Sequence, residues 1–234
     1  MPHEPMFENI TRKDAKLVIP KFLFRALHPD AFYPSRKNVP LRSVFRGMGL
    51  HSRLVVTGHM LGMSAQEIAC AFHRRTYEQA GYFSVFESER DALLANFAEA
   101  GIDISADFDG WMARGDFLYS SNHPKAFVFA DILLRALSGR FLPAAEHAHA
   151  REILAQVPDY LEDSIRWPVY PEIAAHHGFE GSLSWRLTEA AGGASLALGQ
   201  FVLQSFEILD GEAPLPRHVV PGFEMCADAL RSRL

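Results

Sequence analysis

The chain of 234 residues is 48% hydrophobic and 22% charged, with a net charge of −5. This is an ordinary globular composition, and at this size folding hides roughly 70% of the unfolded surface. No overall basic charge points to nucleic acid or anionic lipid, so the expected partner is a small molecule. Cys70 and Cys226 are the only cysteines, and they lack Cys-x-x-Cys spacing, which argues against a disulfide framework and a structural zinc site.

The start, Met1-Pro2-His3-Glu4-Pro5, has no basic region followed by an apolar stretch, unlike a signal peptide. Nowhere do ~18 apolar residues run together as a membrane span requires. The composition predicts a soluble cytoplasmic protein folded as one domain over residues 1–234.

In chain order, residues 17–27 form an apolar run interrupted by Pro20 and read as a strand at a sheet edge. His28-Pro29-Asp30 follows directly, with Asp30 able to orient an imidazole or simply to build a turn with Pro29. From Ala31 to Gln66 there is no Asp or Glu, while Arg36, Lys37, Arg42, Arg46 and Arg53 supply five positive charges among prolines and glycines. That segment reads as a basic loop in an acidic protein.

Residues 51–62 carry a long apolar face and predict a helix opened by His51-Ser52-Arg53. In the functional reading His51 holds a substrate oxygen or anion, Ser52 donates a hydroxyl and Arg53 clamps phosphate. The bland reading is a Ser52 cap followed by a solvated arginine.

Ser64-Ala65-Gln66-Glu67 has capping-box spacing and predicts a helix to about Thr76; Ser84-Val85-Phe86-Glu87 repeats it before a helix that Gly101 stops. Asn122-His123-Pro124 precedes an apolar helix over 124–138, with Asp131 and Arg135 as a narrow polar strip. Here His123 suits a general base, and Asn122 or His123 alternatively caps the helix. Residues 142–151 and 210–221 read as less ordered. A short helix opens at Pro171 and ends before Gly178, and two more are expected over 195–209 and 221–233.

His147 and His149 lie two apart, His176-His177 sit at a helix end, and no His-Glu-x-x-His occurs, so no metal site is expected. Phosphate-loop, dinucleotide and Gly-x-Ser-x-Gly signatures are also absent.

Several ordered segments together resemble the acetyltransferases of capsular polysaccharide biosynthesis of the WcbI type. They are Phe24-Arg25-Ala26-Leu27-His28-Pro29-Asp30, His51-Ser52-Arg53, Leu61-Gly62-Met63-Ser64, Gly81-Tyr82-Phe83, Asn122-His123-Pro124 and Trp167-Pro168-Val169-Tyr170-Pro171-Glu172. The resemblance spans Ile19 to Arg186. It implies a helix-rich α/β domain with a small sheet that binds coenzyme A or acetyl-coenzyme A as co-substrate and acylates a sugar or polysaccharide hydroxyl.

On that reading His123 or His51 takes the acceptor proton, with His28 and Asp30 in the same catalytic group. Arg53, Ser52, Arg25 and Asn122 then bind the coenzyme. His28, His51 and His123 are expected to converge on one cleft. Members of this family usually begin with a strand leading to Gly-Asn-Cys-Gln. That segment does not occur here, and the chain is expected to start where that portion of the family fold has ended. Cys70 is expected to be a packed helical thiol rather than a replacement nucleophile. Two rival readings are a non-catalytic accessory protein that binds coenzyme A or sugar, and an esterase using Ser52 or Ser121.

Overall fold

A computed structural model describes residues 20–36, 39–45, 49–138, 141–188 and 193–232. Among these residues the fold is helix-rich α/β, with short strands paired into two-stranded antiparallel sheets. Strand β1 (Ala31–Phe32) pairs with β4 (His51–Ser52), and between them β2 (Ser35–Arg36) pairs with β3 (Val39–Pro40). The basic segment is therefore folded back on itself rather than left as a loop; Lys37 and Arg46 lie outside the described residues.

Helix α1 (Arg53–Met60) begins one residue after β4, because the Ser52 hydroxyl accepts the Val55 N–H and caps it. His51 is thus the last paired strand residue before the cap. The Ser64 and Glu67 side chains form the expected reciprocal capping box on α2 (Ala65–Cys70). That helix stops at Cys70, and His73 starts a separate one, α3 (Arg74–Gln79). The second capping signature does not form. Ser84 Oγ instead donates to the Gly81 carbonyl, and α4 (Phe86–Glu99) starts without a side-chain cap. Gly101, at φ 76°, follows α4.

Helix α5 (Ser105–Ala113) was not anticipated; its Asp-Gly pair and weak apolar stripe conceal it. Strand β5 (Leu118–Ser120) turns through Ser121 and Asn122 into β6 (His123–Pro124), with a bulge between Leu118 and Ser120. Pro124 is therefore a strand residue, tolerated because a two-stranded pair has open edges. The following helix, α6 (Ala126–Leu137), starts later than expected.

Asp131 and Arg135 are not a solvated strip. Asp131 accepts from Trp111 Nε1 at 2.9 Å and pairs with Arg151, while Arg135 pairs with Asp107. The stretch read as less ordered holds a 3₁₀ turn at Ala144–Glu146 and α7 (His147–Leu154). Helices α8 (Pro171–His176), α9 (Leu198–Asp210) and α10 (Phe223–Arg231) form close to expectation. The chain enters α9 through the pair β7 (Ser184–Arg186) and β8 (Ser195–Ala197).

Residues 20–27 form no strand. The segment alternates buried Phe22 and Phe24 with exposed Lys21 and Arg25, as a strand would. Yet Phe24 N–H to the Ser121 carbonyl is its bond across to the β5–β6 turn, and side chains rather than a ladder hold it. Residues 17–19 lie outside the described residues.

Aromatic rings form a connected part of the core. Phe24 meets Phe86, Phe108 and Phe117 at 5.3–5.9 Å, and Trp185 stacks on Phe201 at 4.1 Å with the rings 1° from parallel. Such pairs add about 0.5–1.5 kcal/mol each beyond area burial. Helix α1 packs against α9 and α10, so its first turn is held from behind.

Candidate active site

The turn His28-Pro29-Asp30 is closed by backbone bonds from His28 N–H to Arg25 and from Ala31 N–H to the His28 carbonyl. It delivers Asp30, fully buried, to the first turn of α1. Asp30 Oδ1 accepts from the Leu54 N–H at 2.9 Å and from the Tyr82 hydroxyl at 2.5 Å. Its Oδ2 accepts from the Tyr170 hydroxyl at 2.5 Å. Asp30 therefore orients no imidazole, because both oxygens are occupied by donors from α1 and two tyrosines. Burial first, and then the Asp30 charge, push both tyrosine hydroxyls well above their usual range.

Around this centre Arg53 is fixed on several sides. Its backbone N–H donates to the Asp30 carbonyl and its Nη1 to the Pro29 carbonyl at 3.1 Å. The guanidinium lies 5.2 Å from the centre of the Tyr82 ring. Gly222, in the left-handed region at φ 64°, leaves the room that Arg53 Nη2 fills; a Cβ there would collide with it. Arg53 makes no ion pair with a carboxylate among the described residues.

Beneath it lies Cys226, which the sequence reading passed over. Its sulfur is 4.0 Å from the Tyr82 hydroxyl, and burial holds it as a thiol despite the neighbouring arginine. Cys70, expected to be packed, is exposed at the end of α2.

A cleft of about 740 Å³ opens beside these groups. Arg25, Arg53 and Asn122 line it, together with Lys21, Tyr33, Glu89 and Ser121. Arg25 is clamped by Glu89, which accepts both its backbone N–H at 2.9 Å and its guanidinium at 3.3 Å. Three cations against one carboxylate leave the lining with a surplus of two positive charges. Lys21 and Arg25 come from the segment before the basic stretch, and Arg42 of that stretch does not line this cleft.

The three histidines are distributed differently from expectation, and none of them lines the cleft. His28 and His51 are 1% and 4% exposed. Neither ring nitrogen of His28 has a partner in hydrogen-bonding geometry, nor does His51 Nε2. Burial takes both imidazoles down to about 4; Asp116 and the Trp167 backbone resist this at His28, and the backbone of Arg42 and Leu41 does at His51.

The two rings are therefore neutral at pH 7. Their folded values lie below the unfolded 6.5, so unfolding takes up protons between about pH 6.5 and 4, and stability falls as pH falls through that window. From pH 7 to 5.5 we expect a loss of about 2 kcal/mol for the pair. Urea unfolding at the two pH values measures it, and equal midpoints would mean that the rings are hydrated.

His123 is half-buried at the end of the β5–β6 turn, and burial lowers its basicity. Its Nδ1 lies 2.9 Å from Asn122 Oδ1 and 2.8 Å from Ser120 Oγ. A carbonyl oxygen only accepts, so Nδ1 carries the hydrogen and Nε2 the lone pair. Asn122 Oδ1 also receives the Ser120 and Tyr33 hydroxyls at 3.2 and 3.4 Å. Ser120 is thus the serine that touches the histidine, a contact that spacing alone did not reveal. Ser52 is buried and used as a cap, and Ser121 lines the cleft.

Four other histidines serve local contacts. His147 meets Ser138, His149 faces Glu152, and the His176 and His177 rings pack on Phe83 and Phe86. No helix among the described residues is long and apolar enough to cross a membrane.

Comparison with known proteins places this geometry in context. Residues 3–140 match the family described as the polysaccharide biosynthesis enzyme WcbI. A solved structure of WcbI, described as a novel polysaccharide biosynthesis enzyme, superposes with a TM-score of 0.58 at 16% identity. It covers 91% of this chain and 69% of its own. That protein was in its native form, without a disulfide bond between coenzyme A and one of its cysteines. No curated protein matches the sequence.

Proposed function

This chain belongs to the WcbI family of polysaccharide biosynthesis enzymes, and from that premise we propose that it transfers an acetyl group from coenzyme A to a hydroxyl of a capsular or surface polysaccharide sugar. The observation that carries the reading is the positive surplus of the cleft among the described residues, which includes Arg53 with no carboxylate partner among them, in a protein of net charge −5. Such a surface attracts a polyanion against the overall field. The fold neighbour's association with coenzyme A supports that polyanion as the acyl donor.

The residues present fit the coenzyme. Arg53 offers a fixed fork to a phosphate, Lys21 a mobile charge, and Arg25 a second fork once Glu89 is displaced. In the transfer step His123 Nε2 takes the proton of the acceptor hydroxyl. The hydroxyl oxygen bonds to the thioester carbonyl carbon, and the carbon–sulfur bond breaks to release the coenzyme thiolate, which recovers the proton. The side-chain amide of Asn122, whose oxygen is held by three neighbours, presents its N–H₂ to the developing oxyanion. Asp30 acts as a positioning residue, fixing the start of α1 and hence Arg53. In this reading the protein works in the cytoplasm as one domain, without a metal and without a covalent acyl-enzyme.

Replacing Arg53 with Ala is expected to weaken coenzyme A binding roughly 10- to 100-fold, the loss of a charged hydrogen-bonding group. The deficit should shrink in high salt. Calorimetric titration at two ionic strengths tests this; unchanged affinity would remove the coenzyme from this cleft.

The 2.8 Å contact between Ser120 and His123 favours one second reading, an esterase. Against it, Nδ1 already bears hydrogen and Ser120 is 1% exposed, so the serine has neither a base nor access. Hydrolysis of a simple ester without an acceptor, abolished in Ser120→Ala, would reverse the preference. Binding of coenzyme A without turnover under any acceptor would point to the accessory role.

A further inference from the structure

A second cavity, of about 440 Å³, lies at the other end of α1, within the about 300–1,000 Å³ range of small-molecule sites. His59 and Met60 supply one side, and Leu209, Asp210, Glu212 and Leu215 the other. At 1.5 Å of rise per residue, His59 stands about 9 Å along the helix axis from Arg53. One short helix thus contributes its first residue to one cleft and Val56, His59 and Met60 to another.

The two cavities differ in charge. Among the described residues no Lys or Arg lines the second, whereas two carboxylates do, so it repels the phosphates that the first attracts. His59 Nε2 lies 2.8 Å from Asp210 Oδ1, and its ring is seated edge-on against Phe206 at 5.0 Å. A carboxylate oxygen accepts, so Nε2 carries the hydrogen of this contact. Asp210 and Glu212 supply hydrogen-bond acceptors to a lining that also holds Met60, Leu209 and Leu215 as apolar surface. Hydroxyl groups match the acceptors, and a C–H face matches the apolar surface.

We propose that this cavity binds a neutral pyranose ring and holds a sugar unit of the acceptor away from the coenzyme cleft. The choice of a sugar as ligand rests on the transfer reading, while the preference for an uncharged, hydroxyl-rich molecule rests on the lining alone. The imidazole is already oriented by Asp210 and Phe206, so little side-chain freedom is lost when the ring docks.

Saturation-transfer NMR on the full chain with millimolar methyl glucoside, mannoside and galactoside tests the site. Transfer to the ring protons of at least one is expected. In His59→Ala and Asp210→Asn its affinity should fall about fivefold, the loss of about one hydrogen bond. The Asp210 side chain is 72% exposed, so Asp210→Asn retains the fold, which a thermal melt verifies, and both variants should bind coenzyme A like the parent. No transfer to any of the three sugars, or transfer that survives both substitutions, would overturn the site. Sugar binding without coenzyme A binding would sink the transfer reading and leave this one standing; the reverse pattern would sink only this site.

Discussion

Replacing Asp30 with Ala should destabilise the protein by about 3–5 kcal/mol, since the change strands the Tyr82 and Tyr170 hydroxyls and the Leu54 N–H in a dry interior. Each buried donor left without an acceptor costs about 1–3 kcal/mol, and here three lose theirs together. Asp30→Asn retains one acceptor oxygen and should cost less, so the ordering Ala worse than Asn worse than parent is part of the expectation. For a chain of this length the Ala variant's Tm should fall by about 6–20 °C. Differential scanning calorimetry reads it directly, and a fall below about 2 °C would mean the network is not holding the turn to the helix.

The second large effect concerns the proposed transfer. His123→Ala should lower kcat about 10²–10⁴-fold, the ordinary contribution of a positioned general base, with coenzyme A affinity little changed because the cations offered to its phosphates are Lys21, Arg25 and Arg53. Burial lowers the imidazole below 6.5, so the base form persists under mildly acidic conditions. Activity should rise with pH along a limb centred below 6.5 and be flat above 7. Turnover that retains its acidic limb in His123→Ala would assign the proton to another group.

Much of the local structure was legible in the sequence because it is written in neighbouring residues. Ser52 and Ser64 cap the helices they precede, Pro171 opens α8, and His28-Pro29-Asp30 makes a turn, all from contacts within a few positions. The helix-rich α/β class and the family followed from several such segments in order. The partners of Asp30 were not legible, since Tyr82 and Tyr170 stand 52 and 140 positions away and no periodicity links them. The same distance concealed Lys21 as a cation of the Arg53 cleft, whereas Arg25, Arg53 and Asn122, named together from the sequence, do line it. His28 and His51 resembled catalytic groups because they sit at element boundaries, but such boundaries also carry the chain into the core, where these two rings end.

The room that Gly222 leaves for Arg53 also bears on how this protein can diverge. A single methyl group at position 222 would have to adopt an unfavourable backbone conformation and also evict a guanidinium contributed from 169 residues earlier. Glycine at 222 and arginine at 53 should therefore be inherited as a pair, with relatives that lose the arginine relaxed at the glycine. In those lineages the entrance to α10 would be free to drift, and a side chain at 222 would be a sign, readable without a structure, that the anion fork has been abandoned.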